Sequence, residues 1–197
     1  MTTSTINNNN HCTINNYYAS LIQDNNKESF RIICDYPRYF ISNFGRIMKI
    51  RNNSLEFTNG TITKKGYYVV NLSKNKKRKQ FRINRLVALS FISNPEMLPM
   101  VDHIDQNKMN NHISNLRFCS HLQNSQNIGI RKDNLSGYKG VYFETASNKF
   151  RTQIVIDGKR KHIGYYTKAE EASEAYETMA KSIHGEFYYK NSIKTNK

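Results

Sequence analysis

The chain has 197 residues, with 30 Lys and Arg against 15 Asp and Glu, which gives a formal net charge of +15. Such an excess points to a polyanionic partner, nucleic acid before membrane. No apolar run approaches the roughly 18 residues that a membrane-spanning helix needs, so a membrane partner is not expected. Cys12, Cys34 and Cys119 are odd in number and widely spaced, without a Cys-x-x-Cys pair, which argues against a disulfide framework and a cysteine zinc site. The 38% apolar content, with 13 Tyr and 10 Phe, supports several small cores rather than one large one.

Residues 1–26 are rich in Asn, Thr and Ser and read as a disordered tail. The segment Met1–Asn10 has neither a basic n-region nor an apolar h-region, so no secretory leader is expected. Organisation begins with a short strand at Phe30–Cys34. Asp35–Arg38 reads as a turn, because Pro37 opposes regular pairing. Tyr39–Ile41 is a second strand, Ser42–Gly45 a turn, and Arg46–Ile50 alternates charged and apolar residues as a half-buried strand does. The run Tyr39-Phe40-Ile41-Ser42-Asn43-Phe44-Gly45-Arg46-Ile47 resembles the small modular motif that accompanies many phage and intron endonucleases. That resemblance implies a module over residues 27–60 serving as DNA contact or as a structural lead-in.

Further strands are predicted at 61–63, 66–72 and 80–83. Lys74-Asn75-Lys76-Lys77-Arg78-Lys79 lies between the last two without an acidic residue. It is either a solvated hairpin tip or a phosphate clamp, with Lys76, Lys77 and Arg78 as candidate DNA contacts. Asn84–Ile92 spaces Leu86, Leu89 and either Phe91-Ile92 or Val87 as an amphipathic helix that Asn94-Pro95 ends.

Residues 102–127 concentrate Asp102, His103, Asp105, Asn110, Asn111, Asn115, Asn124 and Asn127 between the anchors Ile113, Leu116, Phe118 and Leu122. The set Asp102-His103, Asn115 and Asn124 resembles the HNH nucleases, in the branch where Asn replaces the last His. The resemblance implies two antiparallel strands and a helix around one divalent cation, over a core spanning 61–128. The helix is expected from His121 to Asn127, capped by Ser120 with Gln123 completing a capping box. Phosphodiester hydrolysis needs a base, and imidazole titrates nearest neutrality, so His103 takes that role. Asn115 is expected to orient the His103 ring. Asp102 and Asn124 would supply hard oxygen ligands to one Mg²⁺ or Mn²⁺, with His121 in reserve. Arg117 either touches phosphate or pairs with an acid, and the sequence leaves both open.

After a linker at 129–135, strands are expected at 136–143, 149–156 and 159–166, with a hairpin turn at Asp157-Gly158. A helix over Lys168–His184 follows, capped by Thr167 with Glu170 and closed by Gly185. Alternation assigns Val141, Phe143, Phe150, Ile154, Ile156 and Ile163 to the helix side. Gly140, Tyr142, Arg151, Gln153, Val155, Arg160 and His162 fall on the free face. Tyr138-Lys139-Gly140-Val141, Ile163-Gly164 and Thr167–Ala172 resemble the plant Apetala/ethylene-response-factor DNA-binding domain, over about 136–191. The resemblance implies DNA contact through Lys139, Gly140, Tyr142, Gln153, Arg160 and His162, with Arg151 compensating where Val155 replaces an Arg.

The fold class expected is therefore α+β in three small modules: a β-rich N-terminal segment, a ββα-metal core, and a three-stranded antiparallel sheet on one helix. The activity expected is metal-dependent cleavage of double-stranded DNA by an intracellular, homing or phage-like endonuclease. The cytoplasm, the nucleus or a viral factory would suit it, and a monomer is the expected state. A non-catalytic DNA-binding regulator with a degenerate core is the alternative, and RNA binding, which charge and aromatics alone would support, is a third.

Overall fold

The computed structural model describes residues 28–131 and 133–189, so the tail expected at 1–26 and Cys12 lie outside the described residues. The chain is α+β, with four small antiparallel sheets and three α-helices among the described residues. No described helix is long and apolar enough to cross a membrane. Two compact units divide between Phe118 and Cys119.

The first unit opens with a four-stranded meander, β1 (Phe30–Ile33), β2 (Tyr36–Ser42), β3 (Ile47–Arg51) and β4 (Ser54–Thr58). Pro37 was expected to hold the chain in a turn, but it lies inside β2. The sheet accommodates it with an irregularity: Ile32 pairs with Phe40 while Ile33 pairs with Tyr36, so Pro37 has no ladder partner on β1 to supply. The β3–β4 hairpin was not expected. It turns on Asn52-Asn53, both with positive φ (48° and 61°), the geometry of a tight two-residue hairpin turn.

A second meander joins β5 (Thr61–Ile62), β6 (Tyr68–Lys74) and β7 (Lys77–Arg82). The basic run is not a loop between strands: only Asn75-Lys76 forms the tip, and Lys77, Arg78 and Lys79 are exposed residues of β7. Helix α1 (Ile83–Phe91) starts at once from Arg82, one residue earlier than expected and without a side-chain cap. It packs Ile83, Leu86 and Val87 against Ile33, Ile41 and Leu72, each at most 4% exposed, and this is the core of the unit. Leu116 belongs to the same core, with Val101 packed against it. The two-stranded sheet β8 (Met100–His103) and β9 (Leu116–Cys119) is thereby anchored at its apolar positions, with Asp102 and His103 as neighbouring polar ones.

The second unit carries α2 (His121–Gln126), β10 (Val141–Glu144), β11 (Lys149–Ile156), β12 (Lys159–Tyr166) and α3 (Ala169–His184). The α2 capping box forms as the sequence implies: Ser120 Oγ accepts from Gln123 N, and Gln123 Oε1 accepts from Ser120 N. The box expected at Thr167 does not. Lys168 is the N-cap of α3 and has no side-chain cap bond, so the helix starts one residue too late for Thr167 to reach it. Of the stretch 136–143 only Val141 onward is strand, because Gly137 and Gly140 turn the chain at φ 78° and 76°. Val141, Thr152 and Ile154 are buried beneath α3, with Ile156 and Ile163 partly buried at its margin. Phe143 was expected there, but it is 49% exposed and instead meets Phe150 edge-on at 5.2 Å.

Candidate functional site

The polar residues of β8 and of the loop that follows it are buried rather than displayed: Asp102, His103, Asn111 and Asn115 are each 5–7% exposed. Burial of so many polar groups in one place is costly unless each is hydrogen-bonded. Asp102 Oδ2 accepts from Arg117 Nη2 at 2.9 Å and Nε at 3.1 Å across the β8–β9 pair. Both side chains are nearly enclosed, which resolves Arg117 as the partner of an acid.

His103 Nε2 and Asn111 Oδ1 lie 3.2 Å apart. The sequence reading gave Asn115 the task of orienting this ring, but in the structure Asn111 makes the contact. Asn115 instead holds the loop that follows His103. Its Nδ2 donates to Asp105 Oδ1 and to Asn110 O, both at 2.8 Å, and its Oδ1 accepts from Asp105 N at 3.0 Å. Asp105 also accepts from Asn110 Nδ2 at 2.7 Å and from Asn107 N at 2.8 Å. These bonds hold the Asp105 carboxyl below its usual range although desolvation pushes the other way. Burial, the largest influence, lowers the His103 pKa below the ordinary imidazole value, against the Asn111 bond and the nearby carboxylates of Asp102 and Asp105. The ring is therefore neutral near pH 7 and able to take a proton.

The site is supported from the N-terminal meander, residue by residue. Ser42 Oγ closes the Ser42–Gly45 turn by accepting from Phe44 N and Arg46 N. Asn43 O accepts from Ile113 N at 2.8 Å. Phe44 packs edge-on against His112 at 4.6 Å, and Gly45 lies directly against Asn111.

Asn124 and His121 lie on α2, in the second unit: His121 is exposed and Asn124 half-buried. No group of three or more His, Cys, Asp or Glu suited to a metal occurs among the described residues. A hard cation that keeps several waters and takes a substrate phosphate needs only one or two protein oxygens, and a carboxylate such as that of Asp102 is of the kind it takes.

On the second unit the strand register sets the free face in rows: Tyr142, Arg151 and Tyr165; Gln153 and His162; Val155 and Arg160. Tyr142, Val155 and Tyr165 are 44–50% exposed. Tyr165, with its ring 4.8 Å from His162, was missed because the irregularity between Thr152 and Gln153 shifts the alternation of β12. Lys139 and Gly140 are placed differently. The Lys139 ammonium donates to Gln126 O at 2.6 Å and Ile128 O at 2.7 Å at the end of α2, and Gly140 packs against the Tyr176 ring.

The strand pair buries an Asp-His step and an Asn-stapled loop, and a capped helix comes next in the chain, which are the elements that the resemblance to the HNH family implies. Models of known families agree: residues 99–126 match an HNH endonuclease family and residues 28–73 the NUMOD4 motif. The chain belongs to the HNH endonuclease family. It is 43% identical over 86 residues to an uncharacterized HNH endonuclease of Acanthamoeba polyphaga mimivirus, covering 44% of this chain and 26% of that one. It is 37% identical over 89 residues to the DNA endonuclease I-HmuI of Bacillus phage SP01, covering 45% of this chain and 50% of that one. The chain thus spans half or less of the length of these two relatives. Protein 3.8 of Escherichia phage T7 is 31% identical over 87 residues, 44% of this chain and 71% of that one. A solved structure of I-HmuI aligns with 74% of this chain and 82% of its own at 29% identity and a TM-score of 0.47.

Proposed function

We propose that the chain is a divalent-metal-dependent endonuclease that hydrolyses phosphodiester bonds of double-stranded DNA, of the homing or phage-like kind. The observation that carries this reading is the buried Asp102-His103 step at the end of β8, inside the segment that matches the HNH family. Neutral His103 takes a proton from water as the water oxygen attacks phosphorus and the bond to the 3′ oxygen breaks. Asn111 keeps the ring oriented, and Asn115 fixes the loop behind it. Asp102 and Asn124, with His121 in reserve, would hold one Mg²⁺ or Mn²⁺, which when bound supplies Lewis-acid stabilisation of charge on the phosphate and the departing oxygen.

Target choice belongs, on this reading, to an Apetala/ethylene-response-factor-like module at 136–191, through Tyr142, Arg151, Gln153, Arg160, His162 and Tyr165. A sheet face with side chains of this kind suits a DNA groove, where Gln and Arg read base edges. Lys76, Lys77 and Arg78 on the exposed β6–β7 hairpin would add backbone contacts.

Purified protein with Mg²⁺ or Mn²⁺ should convert supercoiled plasmid to nicked or linear form, and His103→Ala should abolish this. Equal cutting by the variant sinks the assignment. Sequence-specific shifts of DNA without cutting by the parent favour the regulator reading instead.

A further inference from the structure

Beside His103 the first unit gathers cations that the reaction described above does not use. Arg82 ends β7, Tyr67 precedes β6, and Lys108 lies in the loop that Asn115 staples. The Arg82 guanidinium sits 4.3 Å from the Tyr67 ring centroid and the Lys108 ammonium 4.7 Å from the same centroid. The Tyr67 ring is in turn 6.2 Å from that of His103. Lys108 Nζ also donates to Lys65 O at 2.9 Å, which ties the nuclease loop to the Thr63–Tyr67 turn. Lys64, Lys65, Tyr67, Gln80 and Arg82 line an open cleft of about 390 Å³.

Among the described residues none of Lys64, Lys65, Arg82 or Lys108 forms an ion pair. Collecting like charges around one ring is unfavourable in the free protein. Each cation–π contact at an exposed site offsets only about 0.5–1 kcal/mol of it. A polyanion entering the cleft relieves the repulsion and meets donors already in place, which is the arrangement expected of a phosphate-binding surface.

We propose that Arg82, Lys108 and Tyr67 form a phosphate subsite that grips the DNA backbone next to the bond His103 attacks. This rests on the nuclease reading above. The two cations bind phosphate oxygens, and the Tyr67 ring fixes their spacing and sets them beside the imidazole. The Lys74–Lys79 hairpin is not required.

The test uses the full chain and duplex DNA. Affinity is measured by fluorescence anisotropy with Ca²⁺ across a salt series, and single-turnover cleavage with Mn²⁺, for the parent, Arg82→Gln, Lys108→Gln and the double variant. Lys181→Gln, which removes one charge at an exposed position of α3, gives the baseline for a mere loss of net charge. Each of the two substitutions should make the slope of log affinity against log salt shallower by about 1, and the double variant by about 2. Cleavage at subsaturating DNA should fall at least tenfold in each single variant. Tyr67→Phe should retain both properties, whereas Tyr67→Leu should lose cleavage with a thermal midpoint close to that of Tyr67→Phe. A parent that cuts while both cation variants keep its slope and rate overturns the subsite and leaves the nuclease reading standing. A parent that binds without cutting, with slopes that still fall, sinks the nuclease reading and supports the phosphate contact.

Discussion

Gly45 and Asn111 approach so closely that a methyl group on Gly45 would lie 2.8 Å from the Asn111 Cβ and 3.1 Å from the Ile83 Cγ2. Gly45 also has φ 84°, where an L side chain is strained. The Ser42–Gly45 turn of the N-terminal motif is thus a seat for the residue that meets His103. Gly45→Ala should cost about 1–2 kcal/mol from backbone strain alone, and it should push Asn111 away from the imidazole. Cleavage should lose kcat with little change in KM, because the binding surfaces stay intact. An unchanged kcat in a variant that melts lower would make Gly45 a fold determinant only.

The same contact marks where sequence reasoning stopped. The Ser120–Gln123 capping box was legible because four adjacent residues complete it. The strand around Pro37 was misread because it depends on an irregularity in the pairing with β1, and the Asn52-Asn53 hairpin was missed although its turn is local. Asn111 was one asparagine among many in the sequence. In the fold the Ser42–Gly45 turn, more than 60 residues earlier, lies against it where it meets His103. Arg82, Tyr67 and Lys108 likewise come from three segments, and no local spacing announces them.

Arg117 separates stability from chemistry at Asp102. Both side chains are about nine-tenths buried, so Arg117→Met breaks a buried ion pair from one side and should cost about 3–5 kcal/mol by denaturant unfolding. The paired replacement Arg117→Met with Asp102→Leu should recover most of that stability, because two apolar side chains need no partner. It should not recover cleavage if Asp102 holds the cation. A double variant that is stable and still cuts would remove Asp102 from the site.

Gly140 tests what the second unit uses its glycine for. A Cβ there would collide with the Tyr176 ring, and its φ is 76°. Tyr176 is 5% exposed, and burial pushes its hydroxyl up to about 12. Gly140→Ala should therefore force α3 away from the sheet and lower the melting midpoint of the unit by several degrees. Tyr176→Leu in the Gly140→Ala background should recover part of the loss by making room. DNA affinity that falls while the midpoint holds would instead make Gly140 a direct contact.

Lys139 couples pH to the stability of the same unit. Burial brings its ammonium down to about 8 from an ordinary 10.5, although Gln126 O and Ile128 O hold the charge in place. With the folded value below the unfolded one, the unfolded chain carries the extra proton between those two pH values, so stability rises with pH through that window. Below about pH 8 both states are charged and the gain is absent. A tenfold difference in proton affinity between the two states corresponds to about 1.4 kcal/mol, so the rise should reach on the order of 1–3 kcal/mol by about pH 10.5. Lys139→Met removes the titrating group, so its stability should lack that component of the rise. It should also lose the two bonds that tie the end of α2, and with them the position of Asn124. Urea unfolding of both proteins at half-unit steps from about pH 7.5 to 10.5 measures the difference. Parallel pH curves for parent and variant would mean that Lys139 keeps its ordinary titration and that its charge costs the fold nothing.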